Sequence, residues 1–65
     1  MAEADIGDRI RVTYNYCDEI EIGTIKKYDD FDLDGGGYVC EDDEGDVFYV
    51  LFHDLFRGDA RIEIL

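Results

Sequence analysis

Two segments of this chain alternate polar and apolar side chains with a period of two, and this alternation constrains the fold more than any other feature. The segments are Arg9–Tyr16 and Ala60–Leu65. Side chains two positions apart share one face of a β-strand, so each segment predicts a half-buried strand. In the first strand the predicted inward side chains are Ile10, Val12, Tyr14 and Tyr16.

Three further strands are predicted between these two. The second runs from Glu19 to about Tyr28, and it requires a bulge at Gly23 because Ile25 is one position out of step with Ile20 and Ile22. The third covers Gly37–Glu41, and Asp42–Gly45 is a hairpin turn in which Gly45 is free to take a positive φ. The fourth, Asp46–Phe52, is apolar on both faces and is therefore predicted to be central. A short helical turn follows at His53–Gly58.

This order of elements, together with the opening Gly7-Asp8-Arg9-Ile10-Arg11-Val12, resembles the SH3-like small barrels seen in Tudor and KOW modules. The resemblance covers residues 7–65. It implies an all-β fold, a small antiparallel barrel of about five strands with one short helical turn near 52–57, in a single domain spanning 1–65. The alternative is a curled antiparallel sheet with one short helix.

Charge excludes several classes of function. Eighteen acidic residues face six Lys or Arg, and the net charge is −12. Direct binding to nucleic-acid phosphates needs a basic face, which this balance does not provide. The longest apolar run, Val47–Phe52, is far short of the roughly 20 residues of a membrane span. The N-terminal Met-Ala-Glu-Ala-Asp lacks the basic start of a signal peptide, so a cytoplasmic location is expected.

The acids are concentrated in the middle of the chain. Between Asp29 and Asp46 there are nine acids and no Lys or Arg. Carboxylates two apart on a strand lie about 6.6 Å from each other, and phosphates along one DNA strand advance about 3.4 Å each. Rows such as Glu19 and Glu21, or Asp30, Asp32 and Asp34, can therefore present charge at the spacing of every second phosphate.

In size, acidity and lack of a catalytic set, the chain resembles the small inhibitors that phages encode against host nucleases and CRISPR complexes. The resemblance implies an anti-CRISPR-like DNA mimic in the host cytoplasm. Such a protein blocks a basic DNA- or RNA-binding surface of a host defence or nucleic-acid enzyme without itself binding nucleic acid. The predicted contacts are Asp18, Glu19, Glu21, Asp29, Asp30, Asp32, Asp34, Glu41, Asp42, Asp43, Glu44 and Asp46.

Calcium binding is an alternative. The run Asp30-Phe31-Asp32-Leu33-Asp34-Gly35, followed five residues later by Glu41, matches the EF-hand loop pattern. Its oxygen ligands would be Asp30, Asp32, Asp34, the Gly36 carbonyl and Glu41. An EF-hand also needs a helix on each side, whereas both flanks here have strand character. The competing interpretation is an Asp- and Gly-rich loop that joins the second and third strands.

Catalysis is not predicted. The chain has no Ser, one His, and two Cys without zinc-site spacing, so Cys17 and Cys40 are expected as reduced thiols. A further alternative is a Tudor-like interaction module, in which Tyr14, Tyr28 and Tyr38 would form an aromatic cage for methylated Lys or Arg. The protein is expected as a monomer, or as a homodimer formed through an exposed strand edge.

Overall fold

A computed structural model describes residues 4–30 and 35–65 of the chain. It contains five strands and one short helix: β1 (Arg9–Tyr14), β2 (Ile20–Asp29), β3 (Gly37–Asp42), β4 (Val47–Leu51), α1 (Phe52–Arg57) and β5 (Ala60–Ile64). All neighbouring strands are antiparallel, in the order β4-β3-β2-β1-β5. The prediction of an all-β fold with five strands and a helical turn before the last one is confirmed.

The sheet does not close into a barrel. Its two edges are β4 and β5, and no strand pairing joins them in the described ranges. The connection between these edges is occupied by α1, which contacts β3, β4 and β5. The architecture is therefore the curled sheet with one short helix, the second of the two predicted forms.

The prediction that the fourth strand is central is wrong. The strand at the centre of the sheet is β2, and β4 is an edge. The apolar side chains on the second face of β4 stay in contact with solvent: Val47 is 53 % exposed and Tyr49 is 56 % exposed. An apolar residue on both sides of a strand is thus not enough to require a covering layer on both sides.

The bulge in β2 lies between Ile25 and Lys27, three residues later than predicted at Gly23. From Ile20 to Ile25 the strand keeps one phase, so Ile20 and Ile22 lie on the face opposite Ile25 and both are exposed. The alternation alone does not show which of two interleaved sets points inward. In β2 the inward set is Glu21, Gly23 and Ile25.

Gly23 is required for a close approach between β2 and β3. A Cβ atom at this position would lie 2.4 Å from the carbonyl oxygen of Glu41 and 2.8 Å from Cε1 of Phe48. No side chain fits in that space without moving a paired strand. The glycine is therefore required here for its small size, and the irregularity in pairing lies further along the strand.

The core covers one side of the sheet, here called the inner face, which is represented by Val12, Ile25, Cys40, Val50 and Ala60 on the five strands. All five are almost fully buried, as is Ile10, and each large buried aliphatic side chain contributes about 1.5–3 kcal/mol. Phe48, Phe52, Leu55 and Ile62 pack against them. Tyr16, predicted to point inward, lies beyond the end of β1 and is exposed.

The helix α1 is six residues long and ends at Gly58. Gly58 has φ +82, and its N–H caps the carbonyls of Asp54 and Leu55, as expected of a glycine that stops a helix. Phe52 and Leu55 face the core, which attaches the helix to the inner face. No helix within 4–30 and 35–65 has the length and apolar character needed to cross a membrane.

Candidate functional site

The basic residues gather on the side of the sheet opposite the core. This outer face is represented by Arg11, Ile22, Val39, Tyr49 and Arg61 on the five strands. By the same register Arg9 and Lys27 also lie on it. Most of the positive charge of the chain is thus placed beside exposed apolar side chains and away from the inner face.

Two acids predicted as partner contacts are paired on or beside this outer face. Arg9 makes a bidentate pair with Asp43, at 2.8 Å from Nη1 to Oδ1 and 2.7 Å from Nη2 to Oδ2. This pairing holds the pKa of the Asp43 carboxyl below its ordinary value. Lys26 Nζ lies 3.9 Å from Glu41 Oε1. Both pairs are solvent-exposed and contribute little to stability, but they offset the charge of Asp43 and Glu41.

The described residues form two further ion pairs, one on the outer face and one after α1. Arg11 pairs with Glu63 across the β1–β5 ladder, where the register places them opposite each other. Arg57 Nε lies 3.6 Å from Asp59 Oδ2 just after α1. Neither pair includes a residue predicted to contact a partner.

Four exposed acids of the β1–β2 loop and the β3–β4 turn lie at one end of the sheet. Strands β1 and β3 run in the same direction, because each is antiparallel to β2. The β1–β2 loop and the β3–β4 turn therefore leave the sheet at the same end. Their exposed acids Asp18, Glu19, Glu44 and Asp46 are here called the acid end. None of the ion pairs found in the described residues involves these four.

Asp42 has a structural role in the β3–β4 turn. Its Oδ1 accepts hydrogen bonds from the backbone N–H groups of Glu44 and Asp46, both at 2.9 Å. Gly45 completes the turn with φ +88, which confirms the predicted hairpin. The carboxylate of Asp42 thus holds the loop that displays Glu44 and Asp46.

Glu21 does not belong to an exposed row with Glu19. It lies on the inner face, half-buried, and accepts a hydrogen bond from the Tyr14 hydroxyl at 3.1 Å. Burial, aided by Glu21, raises the pKa of Tyr14 far above its ordinary 10.0. The same two causes, burial first, raise the pKa of the Cys40 thiol to about 11. Glu21 therefore acts inside the fold, in a position the alternation of β2 did not reveal.

The predicted row of Asp30, Asp32 and Asp34 falls largely outside the described residues. Asp29 ends β2 and is half-buried, and Asp30 follows it and is exposed. Asp32 and Asp34 lie outside the described ranges. Asp29 and Asp30 are at the end of the sheet opposite the acid end, so the predicted contacts are divided between two ends of the molecule.

The calcium-loop residues in the described ranges do not converge. The loop joins two strands, β2 and β3, in place of two helices. Glu41 is four residues beyond Gly37, or about 13 Å along β3, and its partner across the ladder is Thr24. The Gly36 carbonyl already accepts the Phe52 N–H at 3.0 Å. No group of three or more His, Cys, Asp or Glu suited to a metal ion occurs in the chain as described.

Three aromatic rings meet at the end of the sheet opposite the acid end. The ring centroids of Tyr28 and Tyr38 are 5.3 Å apart, and those of Tyr38 and Phe52 are 4.9 Å apart in an edge-to-face arrangement. Beside them is a cavity of about 530 Å³, here called the aromatic pocket, which is lined by Tyr28, Asp29, Asp30, Gly35, Gly36 and Phe52.

Only part of the predicted aromatic cage is found here. Tyr28 and Tyr38 are adjacent, but Tyr14 lies at the other end of the inner face, with its ring 5.4 Å from that of Tyr16. Its place is taken by Phe52, which is not one of the three predicted tyrosines. Phe52 lies on the inner face because α1 begins there, directly over Tyr38.

The cysteines and the histidine are dispersed. Cys17 is exposed in the β1–β2 loop, Cys40 is buried in the core, and both are free thiols. His53 is exposed on α1, where its Nε2 lies 3.4 Å from Arg57 Nη1. These positions do not assemble a Cys-His pair of the kind that nucleophilic catalysis uses.

Comparison of this chain with protein-family models, with curated proteins and with solved structures yields no match. The charged and aromatic side chains of the described residues are therefore the observations that bear on its function.

Proposed function

We propose that this protein binds a basic, nucleic-acid-binding surface of another protein through its acid end and thereby blocks access of DNA or RNA to that surface. In this proposal it is a non-enzymatic inhibitor of the kind that phages direct against host nucleases and CRISPR complexes, and it works in the host cytoplasm. Asp18, Glu19, Glu44 and Asp46 are the contacts that the geometry favours most.

The observation that carries the proposal is the separation of charge in the folded chain. The arginines and lysines lie mainly on the outer face, where three of them pair with acids there or in the adjacent turn. Two acidic connections leave the sheet in the same direction, and none of the ion pairs in the described residues involves their acids Asp18, Glu19, Glu44 and Asp46. Charge that is not offset within the molecule is available to a partner.

The small size of the molecule brings its negative charges close together. The molecule measures 28 × 25 × 25 Å and carries a net charge of −12. Physiological salt screens charges over about 8 Å, so a partner at contact distance senses the local acids more than the whole molecule. Complementary local charge accelerates association and makes it sensitive to salt. Binding is thus expected to be fast and to weaken as ionic strength rises.

The test is a location-specific change of charge. An acid-end variant combines Asp18→Asn, Glu19→Gln and Glu44→Gln, none of whose side chains takes part in a hydrogen bond or ion pair in the described structure. Asp42 is left intact because it holds the turn, and Asp43 is left intact because it pairs with Arg9. The tagged protein is used for capture from a host lysate, with elution first by competing duplex DNA and then by salt.

A matched control carries the same change of net charge elsewhere. Ile22→Lys, Tyr49→Lys and Leu65→Lys replace exposed side chains away from the acid end, and they raise the net charge by the same three units. We expect the wild type and this control to capture a basic nucleic-acid-binding protein that DNA displaces, and the acid-end variant to lose it. Capture that survives in the acid-end variant, or that DNA does not displace, would contradict the proposal.

A further inference from the structure

We propose that the aromatic pocket binds a quaternary ammonium group, such as the head of a trimethylated lysine side chain on a protein partner. The pocket lies where β2 ends and α1 begins, at the opposite end of the sheet from the acid end. The inference therefore stands independently of the function proposed above, and variants at the two ends separate them.

The arrangement of the rings suits a cation. The centroids of Tyr28 and Phe52 are 6.3 Å apart with 46° between the ring planes, and both rings line the aromatic pocket. Cation–π attraction operates when a cation lies within about 6 Å of a ring centroid. Because the two centroids are only 6.3 Å apart, one ammonium group in the pocket can lie within that distance of both rings.

The charge around the pocket has the sign that a cation requires. Asp29 and Asp30 line the cavity, and no Lys or Arg is among its lining residues. A third acid, Asp5, lies at its edge and accepts a hydrogen bond from the Tyr28 hydroxyl at 3.1 Å. That bond fixes the Tyr28 ring and places a further negative charge beside it.

The walls of the pocket are held in place before any ligand arrives. Tyr38 is buried, its ring contacts both other rings, and its hydroxyl donates to the Ala4 carbonyl at 3.1 Å. Phe52 is anchored by its backbone N–H, which donates to the Gly36 carbonyl at 3.0 Å. A preformed site avoids the entropy cost of ordering side chains on binding.

Gly36 keeps the pocket open. It has φ +94, and a Cβ atom there would lie 2.9 Å from the Asp29 carbonyl oxygen and 3.6 Å from Cδ2 of Phe52. Any other residue would be strained in its backbone and would project toward Phe52. The sequence Gly35-Gly36 thus gives this end of the sheet room for a ligand.

These features distinguish a quaternary ammonium from related groups. An unmethylated lysine head is compact and strongly hydrated, and an aromatic wall does not replace the hydrogen bonds it makes with water. A neutral tert-butyl group has the same shape but gains nothing from ring quadrupoles or from the aspartates. The methylated cation has low hydration and full charge, and aromatic sites recognise such groups.

The experiment is an NMR titration of the full chain with three small probes: Nα-acetyl-trimethyllysine amide, its neutral carbon isostere, and Nα-acetyl-lysine amide. We expect the trimethyl compound to bind with a dissociation constant on the order of millimolar. Its shifts should centre on Tyr28, Gly36 and Phe52, and the other two probes should bind at least several-fold more weakly. Equal binding of either other probe, or no binding of the trimethyl compound, overturns the proposal.

Variants separate the site from a general loss of structure. Tyr28→Leu removes an exposed ring and should weaken binding about two- to fivefold, and Asp30→Asn should reduce both affinity and its salt dependence. Tyr49→Leu is the matched control, since Tyr49 is also an exposed tyrosine on a strand but lies on the outer face. An equal loss in this control overturns the proposal. The acid-end variant should bind the trimethyl probe as the wild type does, whatever its effect on lysate capture.

Discussion

Replacement of Gly23 by Ala tests the close approach of β2 and β3 at this position. Gly23 is buried, and β2 is the central strand with a ladder on each side. The added methyl group would meet the Glu41 carbonyl oxygen at 2.4 Å and its carbonyl carbon at 2.9 Å. Ordinary contacts of a Cβ atom begin near 3.4 Å, so one of the two strands must move by about 1 Å.

The expected cost follows from which atoms must move. Overpacking costs about 1–3 kcal/mol, and here the obstacle is backbone held in a ladder, so we expect the upper part of that range, about 3 kcal/mol. A chain of this size has a total stability of roughly 3–10 kcal/mol. The variant therefore loses a large share of its stability and could unfold at physiological temperature.

Gly45→Ala is the control, because it strains the backbone without a clash. Gly45 has φ +88 and nothing within 4 Å of an added Cβ, so the cost is that of a left-handed Ala, about 1 kcal/mol. Urea unfolding followed by circular dichroism measures both variants. With an m-value of about 1 kcal/mol/M, the midpoint should fall by about 3 M for Gly23→Ala and about 1 M for Gly45→Ala. If Gly23→Ala costs no more than Gly45→Ala, the strands are not as close as described and the reasoning fails.

Three further predictions concern titration and access. In the native state a thiol reagent should label Cys17 quickly and Cys40 only after unfolding, and equal rates would show that Cys40 is not buried. Folding raises the pKa of Cys40 from 9.0 to about 11, so this thiol loses its proton at lower pH in the unfolded chain than in the folded one. The stability that it contributes is complete below pH 9 and declines between about pH 9 and 11. Cys40→Ala should flatten that decline when the free energy of unfolding is measured by urea titration at each pH. Arg9 lowers the pKa of Asp43 below its ordinary 3.8 in the folded chain. The stability from this pair is therefore present above pH 3.8 and is lost as the pH falls through the lower pKa of the folded state. Asp43→Asn should remove this part of the loss of stability in acid, and an unchanged dependence of stability on acid pH would contradict the prediction.

The acidic block shows where inference from sequence succeeded and where it stopped. Segregation of acids along the chain survives folding in part, since Glu44 and Asp46 are exposed with no ion pair in the described residues. Asp43, in the same turn, pairs with Arg9, which is 34 positions away in the chain. Glu21 is drawn into a hydrogen bond on the inner face. Only contacts between distant segments distinguish these outcomes.

The aromatic residues show the same limit. The meeting of Phe52 with Tyr28 and Tyr38 is not a local property, because it depends on where α1 begins relative to the end of β2. A sequence pattern that correctly assigned Tyr14, Tyr28 and Tyr38 to their strands still placed Tyr14 in the wrong group, and it placed Phe52 in the fourth strand although Phe52 begins α1.

The sequence by itself determined the local elements: the positions of five strands, the hairpin turn at Asp42–Gly45 and the short helix before the last strand. These follow from side-chain periodicity and glycine positions, which act over a few residues. The tertiary structure alone decided that β4 is an edge, that β2 bulges after Ile25, and which carboxylates remain without a cation. Those outcomes depend on strand pairing and packing between residues far apart in the chain. The alternation of side chains along one strand does not depend on which element pairs with that strand or packs on it.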